Sequence, residues 1–337
     1  MKKIRIVQIG TTHPHASGIF KSVKELEDYF EIAGIAEPTE SSRKNLKEAL
    51  YLGTPVYSVE DLLHLPDIDA ALIETTESEL VKYAQMAIDH GIHVHMDKPG
   101  GENFHAFQTM VNCAKTKNLV FHMGYMYRFN PAIQKSIDLV KSGALGRIHS
   151  IDVQMCIRLS EQGNRGLKRF KGGMMSFLGC HIVDVVLSLA GIPQEVIPFN
   201  YSTGLYGTES LNYGMAVFRY PGCTAVIRSS AADLNGFWRR QIVINGSNGS
   251  IEIKPIEAFD PESTDYLSTS MNVTYSESGN PCFDTSEKLE FPKYKRYDDM
   301  MLDFANIIHG ECSNAYAYEY EIELQRLILM AGGVQEK

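Results

Sequence analysis

The chain has 337 residues, 44% of them hydrophobic and 22% charged, enough for about two globular domains with full cores. Its 32 basic and 41 acidic residues leave a net charge of −9. That balance excludes a non-specific nucleic-acid binder, which needs a basic footprint, but not the capture of an anion by helix ends and backbone amides. Cysteines at 113, 156, 180, 223, 282 and 312 show no C-x-x-C spacing and are expected to be reduced thiols in a cytoplasmic protein. The first strand begins at once, so no leader is expected, and no apolar run is long enough to span a membrane.

In chain order, Ile4–Ile9 reads as a buried strand running into Gly10, followed by a helix near Pro14–Tyr29 and a strand Glu31–Ala36 that ends at Glu37. A helix is expected near Ser41–Leu52, and Ser58-Val59-Glu60-Asp61 resembles a capping box that opens a short helix. Strand Ala70–Glu74, helix Ser78–His90, strand Ile92–Met96, helix Asn103–Lys117 and strand Leu119–Met123 continue the alternation. Strands alternating with helices imply a doubly wound parallel sheet of the Rossmann kind, covered on both faces. After about residue 124 the pattern changes. Helix Pro131–Ser142, strand Ile148–Ile157, a polar stretch Ser160–Lys171 and an apolar helix Met174–Ala190 precede a run of strands. Tyr213–Tyr220 and Thr224–Ser230 flank the turn pair Pro221-Gly222, and Gln241–Ile244 and Ile251–Lys254 flank a second hairpin turn at Gly246–Gly249. This predicts an α+β domain with a mainly antiparallel open sheet over 125–337, after a dinucleotide-binding domain over 1–124. Residues 259–292 are expected to form a long excursion, and helices Asp298–His309 and Glu319–Met330 are expected to close the chain and pack back on the first domain.

Three features carry chemistry. Gly10-Thr11-Thr12-His13-Pro14-His15 lies where a G-x-G-x-x-G fingerprint belongs, and only its first glycine survives. Its context still suits a dinucleotide, with Thr12 able to offer an amide and a hydroxyl to phosphate and His13 or His15 near the pyrophosphate. Glu37 fits the acid that accepts hydrogen bonds from a ribose diol and would repel a 2′-phosphate, which favours NAD over NADP, with Arg43 nearby as a complication. Met96-Asp97-Lys98-Pro99 presents a lysine at a strand's C-terminal end, the edge where open parallel sheets bind ligands, and such a lysine can orient a hydroxyl or trade a proton. His181 and Asp184 lie three apart inside an apolar helix and can share a face, either as a satisfied core pair or as an acid–base group. The x-H-x-H spacings at His13/His15 and His93/His95 are a competing metal reading, but nothing in the sequence joins them into a ligand set, and no metal is expected.

Together these segments resemble the glucose–fructose oxidoreductase/inositol dehydrogenase (Gfo/Idh/MocA) family over nearly the whole chain. The residues that carry the resemblance are the strand into Gly10, Gly91-Ile92-His93-Val94-His95-Met96-Asp97-Lys98-Pro99 where the family reads Glu-Lys-Pro, Gly124–Pro131 at the crossing into the second domain, and Gly172-Gly173 through His181 and Asp184. The resemblance implies Lys98 as catalytic lysine and His181 as acid–base partner. It also implies substrate contacts at Tyr125, Arg128 and Asp184, and cofactor contacts at Gly10, Thr11, Thr12, His13, His15, Glu37, Thr75, Thr76, Asp97 and Lys98. The chain departs from the family pattern at Phe177, where an aspartate usually stands four residues before the histidine, and at Thr75-Thr76-Glu77-Ser78-Glu79-Leu80, which lacks the histidine of Thr-Pro-Asn-x-x-His. Phe177 is therefore expected to meet the catalytic histidine, with Asp184 able to serve as its carboxylate.

The expected activity is NAD(P)-dependent hydride transfer to or from a secondary alcohol of a sugar, polyol or glycoside. The alternatives are an enzyme that retains NAD and cleaves or epimerises glycosides by transient oxidation, and a catalytically silent nucleotide- or sugar-binding protein. A carbohydrate is the expected small-molecule partner, with no nucleic acid or membrane. Because an open sheet needs its second face covered, a homodimer or homotetramer is expected.

Overall fold

A computed structural model describes residues 2–259, 266–268, 270–276, 284–292, 295–316 and 318–334. The chain divides into two units, Met1–Met126 with Tyr297–Gln325, and Tyr127–Arg296 with Arg326–Lys337. In the first unit the strands are β1 (Ile4–Ile9), β2 (Phe30–Ala36), β3 (Ala70–Ile73), β4 (His93–Met96) and β5 (Phe121–Met123). The helices between them are α1 (Ala16–Glu25), α2 (Val59–Leu63), α3 (Leu80–Asp89) and α4 (Phe104–Thr116). The strands pair in parallel in the order β2-β1-β3-β4-β5. Their sequences are almost wholly buried, as a sheet covered by helices on both faces requires. Because β2 and β3 flank β1 on opposite sides, the connections diverge at the C-terminal ends of β1 and β3, the position where such sheets open a ligand crevice. Gly10 makes the close packing there possible. Its φ is +94°, and a Cβ would lie 2.7 Å from the backbone carbon and oxygen of Glu74.

Local signals place the helices. Ser58 caps α2 by accepting from the Asp61 amide, and Asn103 caps α4 by accepting from Ala106. The helix expected at Ser41–Leu52 is instead a 3-10 stretch, Glu40–Lys47, with no buried residue. From the expected segment Tyr51 belongs to the Phe20–Ile35–Tyr51 cluster and Leu46 and Leu50 pack against it, while its start, Ser41–Asn45, has no apolar residue to bury.

The second unit contains α5 (Pro131–Lys141), β6 (Ile148–Gln154), α6 (Glu161–Gly166), α7 (Cys180–Ala190), β7 (Glu195–Tyr201), β8 (Tyr213–Tyr220), β9 (Cys223–Ser230), β10 (Gln241–Gly246), β11 (Gly249–Ile253), β12 (Glu257–Phe259), β13 (Tyr266–Ser268), β14 (Met271–Tyr275) and β15 (Thr285–Leu289). Eight strands form one open sheet in the order β15-β14-β11-β10-β6-β9-β8-β7. Every pair is antiparallel except β6–β9. The polar stretch Ser160–Lys171 holds α6, capped by Ser160. The expected excursion at 259–292 is corrected in part: β14 and β15 extend the main sheet and β13 pairs with β12, while its residues 260–265, 269 and 277–283 lie outside the described ones, as does Cys282.

The closing helices are α8 (Asp298–His309) and α9 (Tyr318–Ala331). In the first unit, α8 packs on α1: the Ser22 hydroxyl donates to Asp298 at 2.7 Å, and a Cβ on Gly18 would overlap the Tyr297 ring. Among the described residues, no helix is long and apolar enough to cross a membrane.

Candidate active site

In the first unit the site grows from the ends of four adjacent strands. β1 delivers Gly10–His15, β2 delivers Glu37, β3 delivers Glu74 and Thr75, and β4 delivers Asp97 and Lys98. Asp97 has no exposed surface and organises the group. Its Oδ1 accepts the Lys98 amide at 2.7 Å, its Oδ2 lies 2.9 Å from His13 Nδ1, and both oxygens lie 3.1 Å from His15 Nδ1. Burial works to raise this carboxyl, but the two histidine rings outweigh it and hold Asp97 well below the ordinary range. Burial lowers His15 to about 4 against the pull of Asp97. Glu74 also has no exposed surface. Burial, then the charge of Asp97, pushes it well above the carboxylate range, and neither of its oxygens has a hydrogen-bond partner. Lys98 is buried and follows directly, joined to Pro99 by a cis peptide.

The turn after β1 uses its amides inside the protein. Gly10 N–H donates to Ala36 O at 2.7 Å, Thr12 and His13 donate to Glu74 O at 3.2 and 3.1 Å, and Ala16 donates to His13 O at 3.1 Å. Thr11 N–H donates to Glu37 Oε2 at 2.7 Å and His15 N–H to His13 Nδ1 at 3.3 Å; Pro14 has no N–H. Glu37 is buried and held from both sides, by the Thr11 amide and hydroxyl on Oε2 and by the Thr39 amide on Oε1 at 2.8 Å. The expectation of a carboxylate open to a ribose diol is corrected to one with its lone pairs largely committed to the turn. Beside it, a cavity of about 400 Å³ is lined by Glu37, Pro38, Arg43, Leu46, Tyr57 and Ser58 among others. Thr75 is buried, with its hydroxyl donating to Thr76 O at 3.3 Å, and Tyr125 is buried too.

In the second unit, His181 is buried in the first turn of α7, with its ring 5.0 Å from that of Tyr127 in an edge-on arrangement. Asp184, also buried, takes a forked contact from Arg128, with Nε at 3.1 and 3.0 Å from its two oxygens and Nη2 at 2.9 Å. The structure thus places the expected substrate contacts Arg128 and Asp184 in a buried, hydrogen-bonded ion pair with each other.

The helix before His181 is not continuous. Met175–Gly179 is a π-helical turn, in which hydrogen bonds run from i to i+5. The residue one turn before His181 is therefore Ser176 rather than Phe177, which corrects the expected register. Phe177 packs with the cluster Leu167, Phe170, Met174 and Ala231, its ring 5.4 Å from Phe170. Ser176 is buried and its hydroxyl has no hydrogen-bond partner.

A further network escaped the sequence reading. Tyr127 donates to Glu257 Oε2 at 2.6 Å, Arg296 Nη2 donates to the same oxygen at 2.6 Å, and Arg240 Nη1 donates to the Tyr127 hydroxyl at 2.9 Å. Burial works to raise Glu257, but Arg296 and the Tyr127 hydrogen bond outweigh it and hold the carboxyl low. Tyr127 is pushed up by burial and then by the Glu257 charge. These partners are distant in sequence, and the only signal was Tyr127 itself within the crossing segment.

Residues 4–125 match the oxidoreductase family with an NAD-binding Rossmann fold, and residues 133–252 match the GFO/IDH/MocA C-terminal domain. The chain belongs to the Gfo/Idh/MocA oxidoreductase family. An uncharacterized oxidoreductase of Schizosaccharomyces pombe is 23% identical over 58% of this chain, and the match spans only 54% of that protein. Myo-inositol 2-dehydrogenase of Thermotoga maritima is 24% identical over 74% of this chain and 73% of its own. The solved UDP-N-acetylglucosamine 3-dehydrogenase of Acidithiobacillus ferrooxidans aligns with a TM-score of 0.78 at 17% identity, covering 100% of this chain and 99% of that one, a likeness of fold.

The residues of this chain meet the family's dinucleotide unevenly. At the adenosine end, the cavity beside Glu37 and Arg43 fits a nucleoside. At the diphosphate end, every amide from Gly10 to Ala16 is used or missing, and the polar group left in the turn is the Thr12 hydroxyl, buried without a hydrogen-bond partner.

Two outcomes follow from the second unit. Because Glu257 is held below its ordinary 4.5, its contribution to stability is fully present above about pH 4.5 and is lost as the pH falls through its folded value. Glu257→Gln should cost about 3–5 kcal/mol at neutral pH, because it leaves buried guanidinium charge without its counter-ion, and should flatten the acid limb of stability in urea titrations followed by circular dichroism. Phe177→Asp should leave the pH profile of turnover unmoved and lower stability by several kcal/mol, on the order expected for a charge placed in an apolar cluster. A folded Phe177→Asp variant with a shifted profile would restore the four-residue register.

Proposed function

We propose that the protein is an NAD-dependent dehydrogenase acting on a secondary alcohol of a sugar, polyol or glycoside. The observation that carries this reading is the buried Asp97-Lys98 pair at the C-terminal edge of β4, beside the point where the chain reverses around β1. Similarity to a relative named as an inositol dehydrogenase supports a polyhydroxy substrate.

When bound, the nicotinamide supplies the hydride acceptor. Glu37 Oε1, which takes only the Thr39 amide, keeps a lone pair for a ribose hydroxyl, and Arg43 lies along the same cavity. Thr12 Oγ1 offers a hydrogen bond to a phosphate oxygen. Lys98 Nζ donates to the alcohol oxygen and stabilises the negative charge that develops as its proton leaves. A ring nitrogen of His181 takes that proton. The Arg128–Asp184 fork and the Tyr127 ring fix the helix that carries His181. Asp97, through the Lys98 amide, fixes the backbone that carries the lysine.

The proposal includes a homo-oligomer. Ile197, Phe199 and Tyr201 are exposed along one side of β7, and their register partners Val217, Met215 and Tyr213 carry that apolar strip onto β8. It also includes a cytoplasmic location, supported by the reduced thiols Cys113, Cys156, Cys223 and Cys312. The closed amide turn favours a second reading, a family member that binds no dinucleotide.

Thermal shift with NAD and NADP separates the two readings. The dehydrogenase reading predicts a rise in melting temperature, larger with NAD, because the Glu37 carboxylate repels a 2′-phosphate. No shift with either nucleotide would establish the second reading. With an active sugar or polyol, Lys98→Ala and His181→Ala should each lower turnover about 100-fold or more while the NAD shift survives. Unchanged turnover in both variants would overturn the assignment.

A further inference from the structure

Against the sequence expectation of no metal, the turn after β1 builds a set of converging ligands, of which the proposed hydride transfer uses Asp97 alone, through the Lys98 amide. His13 Nδ1, His15 Nδ1 and a carboxylate oxygen of Asp97 all lie within 4.8 Å of one another. Glu74 stands beside this set, fully buried, with neither oxygen hydrogen-bonded and with Oε2 3.9 Å from His13 Nδ1.

The hydrogen bonds of His13 call for a cation. Its Nε2 lies 3.0 Å from the carbonyl oxygen of Lys98. A carbonyl only accepts, so Nε2 carries the ring hydrogen and a neutral ring keeps its lone pair on Nδ1. Yet Nδ1 lies 2.9 Å from Asp97 Oδ2. Two acceptors at that distance require a positive species between them, either a second ring proton or a metal ion. A metal ion would engage His13, His15 and Asp97 together, with Glu74 Oε2 close to His13 as a further oxygen.

Distances and outer contacts agree with the second solution. Nitrogen and oxygen ligands at about 2.0–2.1 Å from a tetrahedral ion are about 3.3 Å from one another. The observed separations are 2.9 Å from His13 to Asp97, 3.1 Å from His15 to Asp97 and 3.9 Å from His13 to Glu74. Metal-bound imidazoles usually donate their other N–H to a backbone carbonyl or carboxylate, as His13 does to Lys98 O. Gly124 leaves room behind the carboxylate, since a Cβ there would lie 2.9 Å from Asp97 Oδ1. Loading the site takes the His13 Nδ1 lone pair from the His15 amide, which stands at the half-buried start of α1.

We propose that His13, His15 and Asp97, with the buried Glu74 beside them, form a binding site for one divalent ion of the zinc class. Two imidazoles and two carboxylates are a borderline donor set suited to Zn²⁺ or Co²⁺ rather than to Mg²⁺ or Ca²⁺, which prefer oxygen alone. The site does not depend on the dehydrogenase reading, and its test uses the metal alone.

The full chain, stripped with a chelator and dialysed, is titrated calorimetrically with Zn²⁺, and separately with Co²⁺ while the visible spectrum is recorded. The expected result is one ion per chain and an intense Co²⁺ absorption of the four-coordinate kind. His15→Gln and Glu74→Gln should each weaken Zn²⁺ binding at least about 10-fold, in variants whose circular dichroism matches the parent. Mg²⁺ in excess should not compete. Absence of stoichiometric Zn²⁺ and Co²⁺ binding to the wild-type chain would overturn the proposal whatever the variants do, and so would stoichiometric binding that both folded variants retain at full strength.

Discussion

A carboxylate with no access to water sits at the end of β4, and the first unit is arranged around its compensation. Removing a charged carboxylate from water costs several kcal/mol unless charge and hydrogen bonds are returned to it inside the protein. Asp97 receives the amide of Lys98 and faces the rings of His13 and His15. Those contacts set the path of the turn after β1, because two histidines cannot both reach Asp97 unless the turn folds inward. Once it does, its amides meet Glu74 O and Glu37 Oε2 rather than open space. The inward turn, the buried Glu37 and the fixed backbone at Lys98 are consequences of the same constraint.

Much of this was legible from the residues. The alternation of buried strands and amphipathic helices specified a parallel sheet, because β3 is apolar throughout and β1 carries apolar residues on both faces. The hairpin signals at Pro221-Gly222 and Gly246–Gly249 located antiparallel pairs in the second unit, and at the first of them Gly222 supplies the positive φ, +71°. The segment Asp97-Lys98-Pro99 could be placed at a strand edge because the helix before it ends at Gly91, whose φ is +78°.

What was not legible depended on tertiary partners. Glu37 reads as a ribose acceptor from its place after β2, but whether its lone pairs are open depends on Thr11 and Thr39, and Thr39 lies in a loop with no distinctive pattern. The π-helical turn at Met175–Gly179 inserts a residue without any mark in a 3.6-residue periodicity, so a spacing of four from His181 pointed to Phe177. Glu257, Arg240 and Arg296 meet Tyr127 only through folding of the second unit. The helix expected at Ser41–Leu52 failed for a simpler reason: its first turn, Ser41–Asn45, is wholly polar, and helix nucleation without a buried face is unfavourable.

If Asp97 is the group that orders the first unit, the unfolding free energy of Asp97→Ala tests that role most directly. Urea titration followed by far-ultraviolet circular dichroism at neutral pH should show a loss of about 3–5 kcal/mol relative to the wild-type chain, the cost of stranding buried donors around a missing charge. A loss below about 1 kcal/mol would show that His13, His15 and Lys98 are held by other forces, and that Asp97 does not organise the turn after β1.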